Sequence, residues 1–220
     1  MKASSRLIIL GAGGHAKVVR SLLLGSKYRI IGVCDPYLHS IGMKTWCDLD
    51  VLGGDEVLGQ YIGSDIFLAN GIGQSVYKSR RQEIFSRLIE IGYFFPHLVH
   101  PFTWISPDVV LSDGVQIMAG AVIQASCKIG ANSIVNTRAS IDHDCVIGGH
   151  VHIAPGAVLC GGIQVENSVF IGAGSVITEG ISIGTCAVIG AGVIVTKDVN
   201  PHEILRPHSN YIQNSDHQKW

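Results

Sequence analysis

At 220 residues, 47% of them hydrophobic and 15% charged, the chain carries enough apolar material for one large domain or two small ones with a substantial core. A net charge of −1 lacks the basic face that nucleic-acid binding asks for, and no apolar run approaches the roughly 20 residues of a membrane span. The six cysteines form no C-x-x-C pair and no zinc-ribbon spacing. Glycines interrupt RLIILGAGG where a signal peptide keeps its apolar run, so reduced thiols in a cytoplasmic protein are expected.

Taken in chain order, RLIIL reads as a strand and GAGGHAKVVRSLLL as a glycine turn opening a helix. YRIIGVCD reads as a second strand ending at Asp35. That order is the start of a doubly wound α/β unit. Gly11, Gly13 and Ala16 match G-x-G-x-x-G/A, with Asp35 as the acidic residue about 20 positions on. Such a turn aims backbone N–H groups and a helix N-terminus at an anion, commonly a phosphate. Lys17, Arg80 and Arg81 are either phosphate neighbours or solvated charges. IFLANGIG is a further strand with a glycine turn. The helix in KSRRQEIFSRLIEIG is expected to bury Ile84, Phe85, Leu88 and Ile89 on one face. A Rossmann-like βαβ domain over 1–97 follows, ending in FFPHLVHP. An NAD-dependent dehydrogenase is the obvious alternative, but about 95 residues supply only one mononucleotide-binding half. A nucleotide joined to a sugar suits a half-size site better.

From Val99 every sixth residue is Ile, Leu or Val, through Ile105, Leu111, Ile117, Ile123, Ile129 and onward to Val195, seventeen positions in succession. Small residues often stand two positions earlier, as at Ala121, Cys127, Ser133, Ala139, Cys145, Ala157 and Ala187. A period of six fits neither a helix nor a lone amphipathic strand. It fits an all-β parallel β-helix of short strands and turns, here over 98–200 with a C-terminal tail at 201–220. Within it SIDHDCVIGGHVHIAPG (140–156) breaks the aliphatic pattern with three histidines and two aspartates.

GAGGHAKVV, Asp35, HPFTWISPDV, the hexapeptides and SIDHDCVIGGHVHIAPGAVLCGGI together resemble the NeuD/PglD-type sugar acyltransferases, over about residues 6 to 199. The resemblance implies a left-handed β-helix in which three hexapeptides complete a triangular coil. It implies an acetyl-CoA-dependent acetyltransferase acting on a sugar amine or hydroxyl, with no metal. The acceptor it implies is a nucleotide-linked amino sugar bearing UDP or GDP; O-acetylation of a sialic-acid-like sugar is the alternative. The N-terminal domain would hold the nucleotide sugar through Gly13, Gly14, His15 and Asp35. Acetyl-CoA would lie between β-helices of a homotrimer near His152, Gly161, Ala173 and Ala191. His143 of the DHDC segment would be the base, with Asp144 beside it. One departure is that the G-x-P-A turn common after V-x-K-D-V is replaced by NPHEILRPHSNYIQ.

The coil geometry bears on these roles. One coil after His143 comes Gly161, and after Asp144 comes Gly162. The pair is therefore expected to lie under open space for a substrate, with a backbone N–H free to meet a thioester oxyanion. His152 lies half a coil from His143, on the opposite side of the prism, so the two would flank one cleft only across a subunit boundary. Other readings stand beside these. His152 either touches ligand or packs in an interface, and His150 reads as an exposed turn residue. His15 either contacts substrate or caps a helix turn. Asn136 orients His143 or forms a turn, and Cys145 and Cys160 fit interior or coil-surface positions. His143, His150 and His152 invite comparison with the zinc site of γ-class carbonic anhydrases, but that family's spacing of paired histidines is absent. A non-catalytic scaffold would leave His143–Asp144 and the glycine turn without a use.

Overall fold

The computed structural model describes residues 5–61, 66–76 and 79–207; the tail reading over 208–220 lies outside the described residues. The N-terminal unit is a sheet in the order β3-β4-β2-β1-β5. Its strands are β1 (Ser5–Leu10), β2 (Tyr28–Cys34), β3 (Thr45–Trp46), β4 (Leu49–Gly53) and β5 (Ile66–Asn70). β1 runs parallel to both β2 and β5. A central parallel strand is covered on both faces, which is why RLIIL is apolar without alternation and why Leu7, Ile8 and Ile9 are all fully buried. Helix α1 (Gly14–Leu23) buries Ala16, Val19, Leu22 and Leu23.

Two features depart from the sequence reading. β3 and β4 form an antiparallel hairpin closed by Cys47 and Asp48, both in the left-handed region at φ 47° and 61°. That is the backbone of a type I′ turn, written with residues that do not announce it. After the short α2 (Pro36–Ser40), helix α3 (Arg80–Glu90) buries Ile84, Phe85 and Leu88 but leaves Ile89 36% exposed. The inward stripe starts instead at Arg81, three residues before Ile84, and Arg81 is only 1% exposed.

The rest is a left-handed parallel β-helix. Its two-residue strands run from Leu98–Val99 to Ile204–Leu205 and stack into three parallel sheets of seven, six and five strands. The stepped aliphatic ends each strand up to Val195 and points inward, and one coil is 18 residues, pairing Ile141 with Leu159, Leu159 with Ile177 and Ile177 with Val195. Ala121, Cys127, Ser133, Ala139, Cys145, Ala157 and Ala187 are all buried against this core. The turns are two residues long, and the second residue takes the left-handed conformation, as at Asn132, Arg138, Asp144, His150 and Gly162.

The three faces differ outside. The seven-stranded face carries the N-terminal unit: Leu98, Met118 and Ile134 share a core with Leu7, Ile9, Val19 and Leu22. We call it the docking face. The six-stranded face presents Trp104, Val122, Ser140, Val158, Val176 and Ile194 in one ladder. It is apolar apart from Ser140, and Trp104 is 59% and Ile194 67% exposed. The five-stranded face is more polar, with Lys128, Gln164 and Ser182 outside.

Candidate active site

The first half of the site is a cleft of 340 Å³ at the C-terminal end of β1, lined by Gly11–His15, Asp35, Gly71–Gly73 and Arg80. Gly13 is the N-cap of α1 with no side-chain cap, so the helix N-terminus opens into the cleft. A Cβ on Gly13 or Gly14 would meet no protein atom within 4 Å, which leaves the space above both to a ligand. Gly71 is a close approach: a Cβ there would lie 2.7 Å from the Leu10 carbonyl oxygen and 2.9 Å from the Ala16 Cβ. Asp35 lines the cleft and also builds it. Its Oδ2 accepts the Ala12 N–H at 2.8 Å, and its Oδ1 accepts the Leu38 N–H at 2.9 Å, capping α2. Of the candidate phosphate cations, Arg80 lines the cleft and Arg81 is buried behind it.

His15 faces the cleft and reaches the β-helix. Its Nε2 lies 2.8 Å from Gln116 Oε1, and Gln116 Nε2 donates to the Asn70 carbonyl at 2.9 Å. With the amide oriented by that second bond, Oε1 accepts, so His15 Nε2 carries the hydrogen and Nδ1 keeps a lone pair. Burial, followed by the Arg81 charge, holds the imidazole down at about 4, against the opposing effect of the Gln116 bond. His15 is therefore a neutral acceptor at neutral pH. Capping of a helix turn is not what it does.

His152 lies on the docking face, 8% exposed, its ring stacked on Phe170 at 4.8 Å and 6°. Burial, then the charges of His15 and Arg81, hold it down at about 4. Its Nδ1 is buried with no hydrogen-bond partner among the described residues. A buried polar atom left so costs free energy unless something satisfies it.

The second half of the site is on the far side of the coil. His143 and Asp144 fill the two turn positions between the apolar and five-stranded faces, so their side chains point outward. Asp144 has φ 59°, a conformation Asp tolerates better than most residues. Asp144 Oδ2 lies 2.8 Å from His143 Nδ1, and the His143 N–H donates to Asp142 Oδ1 at 2.9 Å. The Asp144 bond, helped by the Asp142 charge, raises the His143 pKa above its ordinary value. With Nδ1 engaged, Nε2 is the free nitrogen. Cys145 beside the pair is no rival nucleophile, because burial pushes its thiol up to about 12.

Gly161 corrects one expectation. A Cβ there would lie 2.6 Å from His143 Cε1 and 2.8 Å from Nε2. The room the glycine leaves is filled by the imidazole itself rather than kept for substrate. The Gly161 N–H has no acceptor among the described residues, unlike Thr137 and Thr185 at other turns, which are met by Asn136 and Glu166. Ala173 and Ala191 are exposed at turns joining the docking face to the apolar face.

Asn136 serves its own turn, accepting the Thr137 N–H at 2.8 Å, and makes no bond to His143 among the described residues. His150 is half-buried rather than exposed, its Nδ1 3.0 Å from Asn132 Nδ2 and its ring edge-on to Phe85. Together with the opposite placement of His143 and His152, this keeps the three histidines apart; no metal-holding group of three His, Cys, Asp or Glu occurs among the described residues. Sequence reasoning missed Gln116, Asn70, Asn132 and Phe170. Gln116 and His15 are 101 residues apart, and no local pattern marks such a pair.

Residues 6–88 match the family described as the PglD N-terminal domain. Across 93% of the chain the fold matches a variant of perosamine N-acetyltransferase from Caulobacter crescentus, solved with CoA and GDP-perosamine, at 30% identity and TM-score 0.84 over 95% of that chain. It matches the acetyltransferase domain of PglB from Neisseria gonorrhoeae, solved with acetyl coenzyme A, at 28% identity and TM-score 0.84 over 97% of that chain. WeeI from Acinetobacter baumannii, at 24% identity and TM-score 0.76, shares the fold. With the glycine turn, the β-helix and the His143–Asp144 pair in the same chain, these likenesses agree: the protein belongs to the PglD/NeuD-type family of sugar acyltransferases.

Proposed function

We propose that this acyltransferase moves an acetyl group from acetyl-CoA to the amine of a nucleotide-linked amino sugar, and that it does so as a homotrimer. The observation that carries the reading is the layout of the apolar face. One of its edges bears His143 and Gly161, and the other bears Ala173 and Ala191, with His152 on the adjoining docking face. If that face packs around a threefold axis, the first edge of one protomer comes beside the second edge of the next. All the acetyl-CoA residues then meet in one intersubunit cleft, although they are separated within a chain. Burying the exposed Trp104–Ile194 ladder supplies the driving force.

The N-terminal unit, proposed to span 1–97, holds the nucleotide sugar, its phosphates at the α1 N-terminus over Gly13 and Gly14. The β-helix is proposed to begin at 98; its last strand, Ile204–Leu205, lies past the end at 200 that the repeat led us to expect. His152, 8% exposed, is assigned to the acyl-donor side of the site. The amine nitrogen attacks the thioester carbonyl, its proton passes to His143 Nε2, and the C–S bond breaks to release CoA as a thiolate. Asp144 stabilises the imidazolium, and the Gly161 N–H meets the oxyanion. That the Caulobacter perosamine N-acetyltransferase was solved with CoA and GDP-perosamine supports an amine over a hydroxyl acceptor and a nucleoside-diphosphate carrier. A cytoplasmic setting fits six free cysteines and a CoA donor. The test is CoA release with acetyl-CoA and a panel of GDP- and UDP-linked amino sugars beside free sialic-acid-like sugars. Turnover restricted to the free sugars would overturn the acceptor assignment.

A further inference from the structure

Arg81 is the largest polar side chain sealed inside the molecule, and no carboxylate pairs with it among the described residues. Its guanidinium donates instead to three backbone carbonyls: Asn70 at 2.9 Å, Ile72 at 2.7 Å and Asn132 at 3.4 Å. Asn70 and Ile72 bracket the turn after β5 that walls the cleft. Asn132 is a left-handed corner residue of the β-helix, 1% exposed. One side chain thus ties α3, the cleft turn and the β-helix together. The tie is part of a buried polar chain: Asn70 Nδ2 donates to the Arg81 carbonyl and to Asn132 Oδ1, Gln116 donates to the Asn70 carbonyl, and His15 meets Gln116.

We infer that Arg81 is a positioning residue for acyl transfer, its buried guanidinium setting the cleft turn against the docking face. The inference rests on the proposed acetyl transfer for its catalytic consequence. Its geometry does not depend on that reading. A buried guanidinium unmatched by a carboxylate is costly, and removing it would leave the carbonyls of Asn70, Ile72 and Asn132 short of a donor. The titratable groups that feel it are His15 on α1 and His150 and His152 on the β-helix, each lowered first by burial and then in part by its charge. Burial brings Arg81 itself down to about 9, so it stays charged at neutral pH. A neutral His15 and His152 accept or donate one hydrogen bond in a fixed sense.

Two variants separate geometry from charge. Arg81→Gln keeps N–H donors for the carbonyls but removes the charge; Arg81→Lys keeps the charge but loses the planar fork. Both are studied as full-length protein by NMR titration of labelled histidines, and by kinetics with acetyl-CoA and a GDP-linked amino sugar. The expected results are higher titration midpoints for His15 and His152 in Arg81→Gln and near wild-type midpoints in Arg81→Lys. In both variants the acceptor KM should rise by about tenfold or more with the acetyl-CoA KM little changed. Folded variants with unmoved midpoints and unmoved acceptor KM would overturn the inference. So would failure of both variants to fold, since Arg81 would then be a brace of the core alone. If the wild-type protein does not turn over the amino sugar, the functional reading fails, while the histidine titration still decides the role of the charge.

Discussion

His143 owes its basicity to two neighbours, Asp144 first and Asp142 after it. If His143 is the general base, as proposed, it works in its unprotonated form, and the raised pKa predicts a rate that climbs with pH through a limb above the ordinary histidine value. Asp144→Asn removes the main cause of that rise. Its acid limb should move to lower pH and its plateau should fall, because a weaker base remains; a limb that stays put in the pH profile of kcat/KM would show that Asp144 does not tune His143. His143→Ala should lower kcat by about 10²–10⁴-fold, with acetyl-CoA affinity by calorimetry nearly unchanged. The pairing of the two residues was legible in the sequence because DHDC interrupts an otherwise aliphatic repeat. The state of His15 was not. It depends on Gln116 and on Arg81, residues remote in sequence that meet only once the two units are docked.

Neighbouring glycines in one turn offer a contrast at the level of the element. Gly162 has φ +69° and a Cβ direction in ordinary contact only, 4.0 Å from Gly180 Cα, so Gly162→Ala meets backbone strain of about 1 kcal/mol and little else. Gly161 carries no such constraint, but its Cβ would strike the His143 ring. The expectation is a lower Tm with activity kept for Gly162→Ala. For Gly161→Ala it is a lower kcat with Tm nearly kept, because the ring must swing away from Asp144. Differential scanning calorimetry with steady-state kinetics checks both. At the start of α1, Gly13→Val adds a side chain whose Cβ meets no protein atom within 4 Å, so a raised acceptor KM at constant acetyl-CoA KM would report crowding of the ligand. The β-helix itself was readable residue by residue, since the period of six places one inward aliphatic on every strand through Val195. The β3–β4 hairpin was not, because Cys47–Asp48 takes a turn usually written Asn-Gly. The inward stripe of α3 was misread at Ile89 because a charged residue, Arg81, holds one of its buried places.

At the scale of the whole molecule the units share one apolar core, through Leu98, Met118 and Ile134. A β-helix cut free near Phe95 would expose those residues, so the full chain is the proper object for binding studies. His15 and His152 also make the assembly acid-sensitive. Both fall from the ordinary 6.5 to about 4 on folding, so below pH 6.5 the unfolded chain binds protons that the folded one refuses. Stability should be full above 6.5 and decline as pH falls toward 4, by up to roughly 3 kcal/mol per histidine at most. A flat Tm between those pH values would contradict the buried, neutral state of the pair. Light scattering should find a trimer; a fully active monomer would rule out the shared cleft. The separation of His143 from His152 by half a coil has a genetic corollary. A chain lacking His143 still contributes an intact docking face, and a Gly13→Val chain still contributes an intact His143 edge. Co-expressed, the two defective alleles should complement each other: random mixing leaves about a quarter of the clefts with both halves unaltered, whereas a site confined to one chain would give none.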